Sequence, residues 1–261
     1  MGLALLAALS GGVTALYHAV LVASDAARTS ETAYFLMDAL EQWVSEAKPI
    51  TAKGDVRPDV IRGATFHDES ISLDPCQTPV TSTFNPSRAG VMAVPVGALH
   101  CISQTHVGEG SIALVIEKRE GCESSCLTPG FFASPGACGQ ENYLVRWGDR
   151  SAHLEACEDG TQITRLSRLI VYSRDYSWRV GDGIPAIMVI ELAPESDARW
   201  LRSTMLASGI AEWRVGCLGK GMTLQTAACD PAGIFVKFTA NGRYASIRVE
   251  RHVALLGGST G

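Results

Sequence analysis

Two patterns run into one another at the start of the chain. From Met1 to Ser24 there is no acidic residue, lysine or arginine, and Asp25 is the first charge. As a helix this stretch reaches about 36 Å, enough to cross a bilayer core. Gly11-Gly12 interrupts the apolar run and is expected to soften the helix locally. Beyond Asp25 the pattern becomes one-sided. Ala33, Leu36, Leu40, Trp43 and Ala47 recur at three- and four-residue steps, while Asp38, Glu41, Gln42, Ser45 and Glu46 fall largely elsewhere on the wheel. That periodicity predicts an amphipathic helix with one buried stripe. Pro49 ends it, so the expectation is a single helix of about 70 Å over Gly2 to Lys48.

The rest of the chain is read as mostly extended. From Ile50 to about Gly110 it is rich in turn residues, with short strands expected around Val60 to Phe66 and Gly90 to Val96. Ser111 to Glu117 (SIALVIE) is apolar enough for a strand buried on both faces. Further strands are predicted at Asn142 to Trp147, Arg168 to Ser173, Ala186 to Leu192 and Ala211 to Cys217, the middle two pairing across Gly181-Asp182-Gly183. The clearest hairpin comes last. Ile234, Val236 and Phe238 alternate with Phe235 and Lys237, Asn241-Gly242 supplies the turn, and Ile247, Val249 and Val253 face away from Arg248, Glu250 and His252. The expected fold class is α+β: a long N-terminal helix packed on a mostly antiparallel sheet.

Composition adds the compartment. The eight cysteines, Cys76, Cys101, Cys122, Cys126, Cys138, Cys157, Cys217 and Cys229, form an even set in turn-rich sequence, which favours disulfides in an oxidising space. A zinc site usually needs two close pairs, and only Cys122 and Cys126 are close. Connectivity stays open, with Cys217 and Cys229 the preferred local bridge. Cys122 and Cys126 lie beside Glu120 and Glu123, which opposes a redox-active thiolate. The net charge of -5 gives no general affinity for nucleic acid.

A search for chemistry finds none that coheres. His18, His67, His100, His106, His153 and His252 show no metal-ligand spacing, and no nucleophile elbow or phosphate loop occurs. Asp55, Asp59, Asp74 and Asp182 read as turn formers, not calcium ligands. Arg165, Arg168, Arg174 and Arg179 surround Tyr172, Tyr176 and Trp178, but Asp175 and Asp182 interleave. A solvated, partner-facing strand edge explains that cluster better than a nucleic-acid site. No catalytic, cofactor or metal residue is expected.

The order of apolar helix, amphipathic continuation, loop-rich segment, antiparallel strands and cysteine links resembles type IV pilins and the related type II secretion pseudopilins. Three stretches look like the PilW family of minor pilins: GLALLAALSGGVTALYHAV (Gly2 to Val20), RLIVYSRDYSWRVGDGIPAIMVIEL (Arg168 to Leu192) and MLASGIAEWRV (Met205 to Val215). The likeness is one of pattern and order. A pilin-like reading divides the chain into a membrane-spanning or fibre-core half-helix (1–24), an amphipathic half-helix (25–48) and a periplasmic head (49–261). Leu3, Leu6, Leu9, Gly11, Gly12, Val13, Leu16 and Val20 would serve membrane insertion and assembly; Leu36, Leu40 and Trp43 would hold the helix to the head.

The resemblance implies a structural subunit that helps initiate pilus assembly and takes a place at the fibre tip. Its expected partners are other minor pilins, the major pilin, the inner-membrane assembly machinery and a tip adhesin. Its expected location is the bacterial inner membrane and then the surface fibre. A type II secretion pseudopilin would share the anchor, and a membrane-tethered periplasmic binding protein or enzyme is the third reading. A cleaved signal peptide is disfavoured because no basic region opens the chain. The family's processing signal, a glycine and an aromatic residue before an apolar run with glutamate at its fifth position, is not found near Met1. It is expected in a preceding segment.

Overall fold

In a computed structural model, the residues described are 2–47, 76, 90–108, 110–122, 131–134, 143–146, 163–192, 203–218, 224–225 and 233–254. The expected strand at 60–66 lies outside them. The N-terminal run forms one helix, α1 (Gly2–Ser45, 44 residues), with no break at Gly11-Gly12. Backbone hydrogen bonding carries the helix through both glycines. The helix also stops short of Lys48. Ala47 instead makes an extended bridge to Lys118, and Lys118 Nζ sits 2.7 Å from Glu46 Oε2. Pairing with the sheet ends the helix before Pro49 does.

The strands are β1 (Val91–Pro95), β2 (Ile112–Cys122), β3 (Phe131–Ser134), β4 (Tyr143–Arg146), β5 (Ile163–Arg174), β6 (Ala186–Leu192), β7 (Ser203–Ser208), β8 (Ile210–Leu218), β9 (Leu224–Gln225), β10 (Ile234–Asn241) and β11 (Ser246–Val253). All described pairings are antiparallel. The fold is α+β, but the expected single sheet is two. One sheet is built on β1-β2-β5, with β6 and β7 extending β5 and β3-β4 joining its far end; the other runs β11-β10-β8-β9.

The division has a local cause at Gly209. β7 and β8 are almost continuous in sequence, yet they belong to different sheets. Gly209 joins them at φ +74°, and a Cβ there would lie 2.6 Å from the Asn241 carbonyl oxygen. Only glycine takes that conformation and that approach without strain. Asn241 N–H donates to Gly209 O (2.8 Å) and Ile210 N–H to Pro185 O (3.1 Å), which fixes the corner. A bulge follows: Glu212 and Trp213 together oppose Phe238, with Glu212 at φ 53°. Bulges of this kind raise strand twist.

Alternation along β2 and β5 builds two cores. Leu114, Ile116, Leu169 and Val171 face α1 and the second sheet. Ala113, Val115, Ile170 and Tyr172 face the opposite way, under the connection that carries Val96, Leu99 and Ile102. Cys76 is disulfide-bonded to Cys101 across this cover. Closing 25 residues of chain contributes about 3 kcal/mol by loop entropy. The largely buried strand expected at Ser111 to Glu117 is seen as part of Ile112–Cys122, and both of its faces are used.

Candidate assembly surfaces

On α1, the stripe that meets the head is Ala33, Leu36, Met37, Leu40 and Val44, all buried in the main core. Leu36 and Leu40 are fully buried. Trp43 and Ala47 only flank the core, while Met37 and Val44 take central positions. The stripe is rotated toward Met37 because the helix meets two sheets, β10 and β11 as well as β2. Trp43 lies beneath the Lys118 ammonium, 6.0 Å from its ring centre.

N-terminal to Asp25 the same helix leaves the head. Every residue from Ser10 to Val20 is exposed, including Val13 and Leu16 at 67% each and Val20 at 57%. Among the described residues, nothing beyond the helix's own backbone comes within 4 Å of a Cβ built at Gly11 or Gly12. The helix backbone runs through Leu3, Leu6 and Leu9, whose side chains lie outside the described residues. Among the described residues no helix is long and apolar enough to cross a membrane.

Asp25 marks the exit point. Its carboxylate accepts hydrogen bonds from Arg243, Tyr244 and Ala245 N–H at 3.0, 2.6 and 3.0 Å. Those N–H groups belong to the β10-β11 turn, so Asp25 locks the tip of the hairpin onto the helix. The N–H groups of Tyr244 and then Arg243 hold its carboxyl below the ordinary range. Gly242 packs against Asp25 and Thr29 so tightly that a Cβ would collide with both side chains. One and a half to two turns nearer the N-terminus, His18 meets the Tyr244 ring edge-on at 5.7 Å.

The β5-β6 loop is the second exposed surface. Asp182 turns inward and accepts from Ile184 N–H (2.9 Å), Trp178 N–H (2.9 Å), Arg179 N–H (3.2 Å) and Ser177 N–H (3.2 Å). These bonds, chiefly that from Ile184, lower its pKa to about 2. Arg174 closes the base of the loop through Tyr176 O at 2.7 Å and through Ser177 O, and its guanidinium stacks 4.1 Å from the Tyr176 ring centre. With its polar groups occupied inside, the loop presents Trp178 (78% exposed), Val180 (62%) and Ile184 (45%) to the outside.

Among the described residues, no group of three or more His, Cys, Asp or Glu could hold a metal. The described histidines are dispersed: His106 lies 3.8 Å from Asp175, and His252 rests on Phe235. Cys217 is disulfide-bonded. No described cysteine is free. Cys126, Cys138, Cys157 and Cys229, like His67 and His153, lie outside the description, as does the side chain of Cys122. The arginine cluster does not act as a unit. Arg168 is fully buried with its guanidinium 2.9 Å from Glu117, whereas Arg174 organises the loop and Arg179 is exposed. No known protein family, curated protein or solved structure matches the chain.

Proposed function

We propose that this chain is a membrane-anchored, non-catalytic subunit of a bacterial surface fibre, similar to minor pilins of the PilW kind. The observation that carries the reading is α1. One uninterrupted helix is buried against two sheets in its second half and is exposed with apolar side chains from Val13 to Val20. An exposed apolar helix needs a partner phase. Before assembly that phase is the inner membrane, and after assembly it is the helical core of the fibre. Gly11 and Gly12 leave the backbone open for close approach of a neighbouring helix, the packing mode available where lipid removes the hydrophobic drive. The disulfides at Cys76–Cys101 and Cys217 support an oxidising compartment such as the periplasm for the head. Its neighbours are other minor pilins and the major pilin, assembled by inner-membrane machinery and capped by a tip adhesin.

The test follows the protein in the producing cell. Alkaline carbonate extraction should leave it in the membrane pellet, and sheared surface fibres should contain a small amount of it. Deletion of the chain should reduce fibre number. Recovery in the soluble fraction, with none in sheared fibres, would overturn the reading.

A further inference from the structure

We propose that the β5-β6 loop, together with the β10-β11 turn, is an interfacial membrane contact: Trp178, Val180 and Arg179 dip into the headgroup layer of an anionic bilayer. This rests on the anchor reading of α1 given above.

Placement comes first. The far end of β5 sits by the end of α1, because Ser167 pairs with Lys118 and Lys118 bridges to Ala47. The near end of β5 is tied to Asp25 by a continuous path. Arg174 pairs with Ala186, Ala186 with Ser208, Gly209 bonds Asn241, and the turn after Asn241 sits on Asp25. Strand β5 therefore runs back along the helix toward its exposed half. Ser167 to Arg174 covers about 23 Å, and Ser45 to Asp25 about 30 Å. The loop beyond Arg174 makes up the difference, which brings Trp178 to the level where α1 leaves the head.

Chemistry comes second. At that level the protein shows an exposed tryptophan, two exposed aliphatic side chains and exposed arginines, at 179 and 243. Tyr244 lies against His18 on the emerging helix. Tryptophan and tyrosine favour the headgroup level of bilayers, and arginine beside them is drawn to anionic lipid. Of the acids nearby, Asp25 and Asp182 spend their oxygens on backbone N–H groups, and the exposed Asp175 lies 3.8 Å from His106. Asp182 also fixes the loop before it meets lipid, so less ordering entropy remains to be lost on contact. A loop ordered from within, with its apolar side chains outside, is built to be covered. The surface nearest to it is the one α1 enters.

The test uses the full chain in phosphatidylethanolamine–phosphatidylglycerol vesicles. The chain has five tryptophans, so emission of the wild type minus that of W178F isolates Trp178. Lipids brominated near the headgroup end should quench the difference emission, lipids brominated near the chain end should quench it less, and aqueous acrylamide should lose access. Val180→Trp in the W178F background should report the same depth, and its agreement guards against misfolding of one variant. If the chain floats with the vesicles but Trp178 stays open to acrylamide and untouched by brominated lipid, the inference fails and the anchor stands. The loop would then face water or a protein neighbour. If the chain does not float with the vesicles, the anchor reading fails and takes this inference with it.

Discussion

Asp25 and Asp182 do the same work at two places. Each carboxylate gathers the N–H groups of a turn that no strand partner reaches, and charge-assisted bonds of this kind are the strong ones. Asp182 holds its own loop, with partners two to five residues away, so turn chemistry at that position was legible in the sequence. Asp25 was legible only as the first charge. Its partners are 218 to 220 residues distant, and no local pattern points to them. The pH dependence follows from the lowered pKa values. For Asp182 the folded value is about 2 against an ordinary 3.8. Its contribution to loop order is therefore complete above 3.8 and is lost as pH falls through about 2. Amide exchange at Trp178 and Ile184 should be slow from neutral pH to about pH 4, then accelerate toward pH 2 beyond the intrinsic trend. Asp182→Asn should show fast exchange throughout, because an amide NH2 would face N–H donors on one side. Unchanged protection in Asp182→Asn would mean that the loop is held by its arginine alone.

At the scale of elements, apolar runs or their period located α1, β1, β2, β4, β5, β6, β8 and the β10-β11 hairpin. It did not locate β3, β7 or β9. In β7, Ser203–Ser208, small polar residues sit on both sides of a short apolar core, so neither period emerges. The buried stripe shares Ala33, Leu36 and Leu40 with the expected one, but Trp43 and Ala47 border it while Met37 and Val44 lie inside it, because two sheets rather than one receive the helix. This geometry has a measurable consequence. Leu40→Ala should lower unfolding free energy by about 2–5 kcal/mol, the range for a buried leucine that leaves a cavity. Tyr34→Ala, on the outward face and 72% exposed, should change it by less than about 0.5 kcal/mol. Denaturant titration of both variants separates the faces, and comparable losses would mean that the outward face is also packed.

At the scale of the whole molecule, the least legible feature is the split into two sheets. It depends on one residue, Gly209, whose positive φ turns a nearly continuous run of strand into a corner between sheets. From the sequence, MLASGIAEWRV reads as one stretch. The second hidden feature is the ion pair within the first sheet. Glu117 and Arg168 are direct cross-strand partners, and both are buried on the face of Ala113, Val115 and Ile170, opposite α1. The sequence groups Arg168 with the other arginines around Tyr172, since a charge preceded by Ser167 carries no local sign of burial. A buried pair of this kind contributes little net stability when intact, but it is costly to break one-sidedly. Arg168→Leu should therefore destabilise the fold by about 3–5 kcal/mol, as the buried Glu117 carboxylate loses its cross-strand ion pair. Glu117→Leu combined with Arg168→Leu should recover most of that loss, since two leucines fill the layer without a desolvated charge. A double variant as unstable as the single one would show that the pair sets the register between β2 and β5. Those strands link the end of α1 to the exposed loop, so a slip there would misplace every surface assigned to assembly.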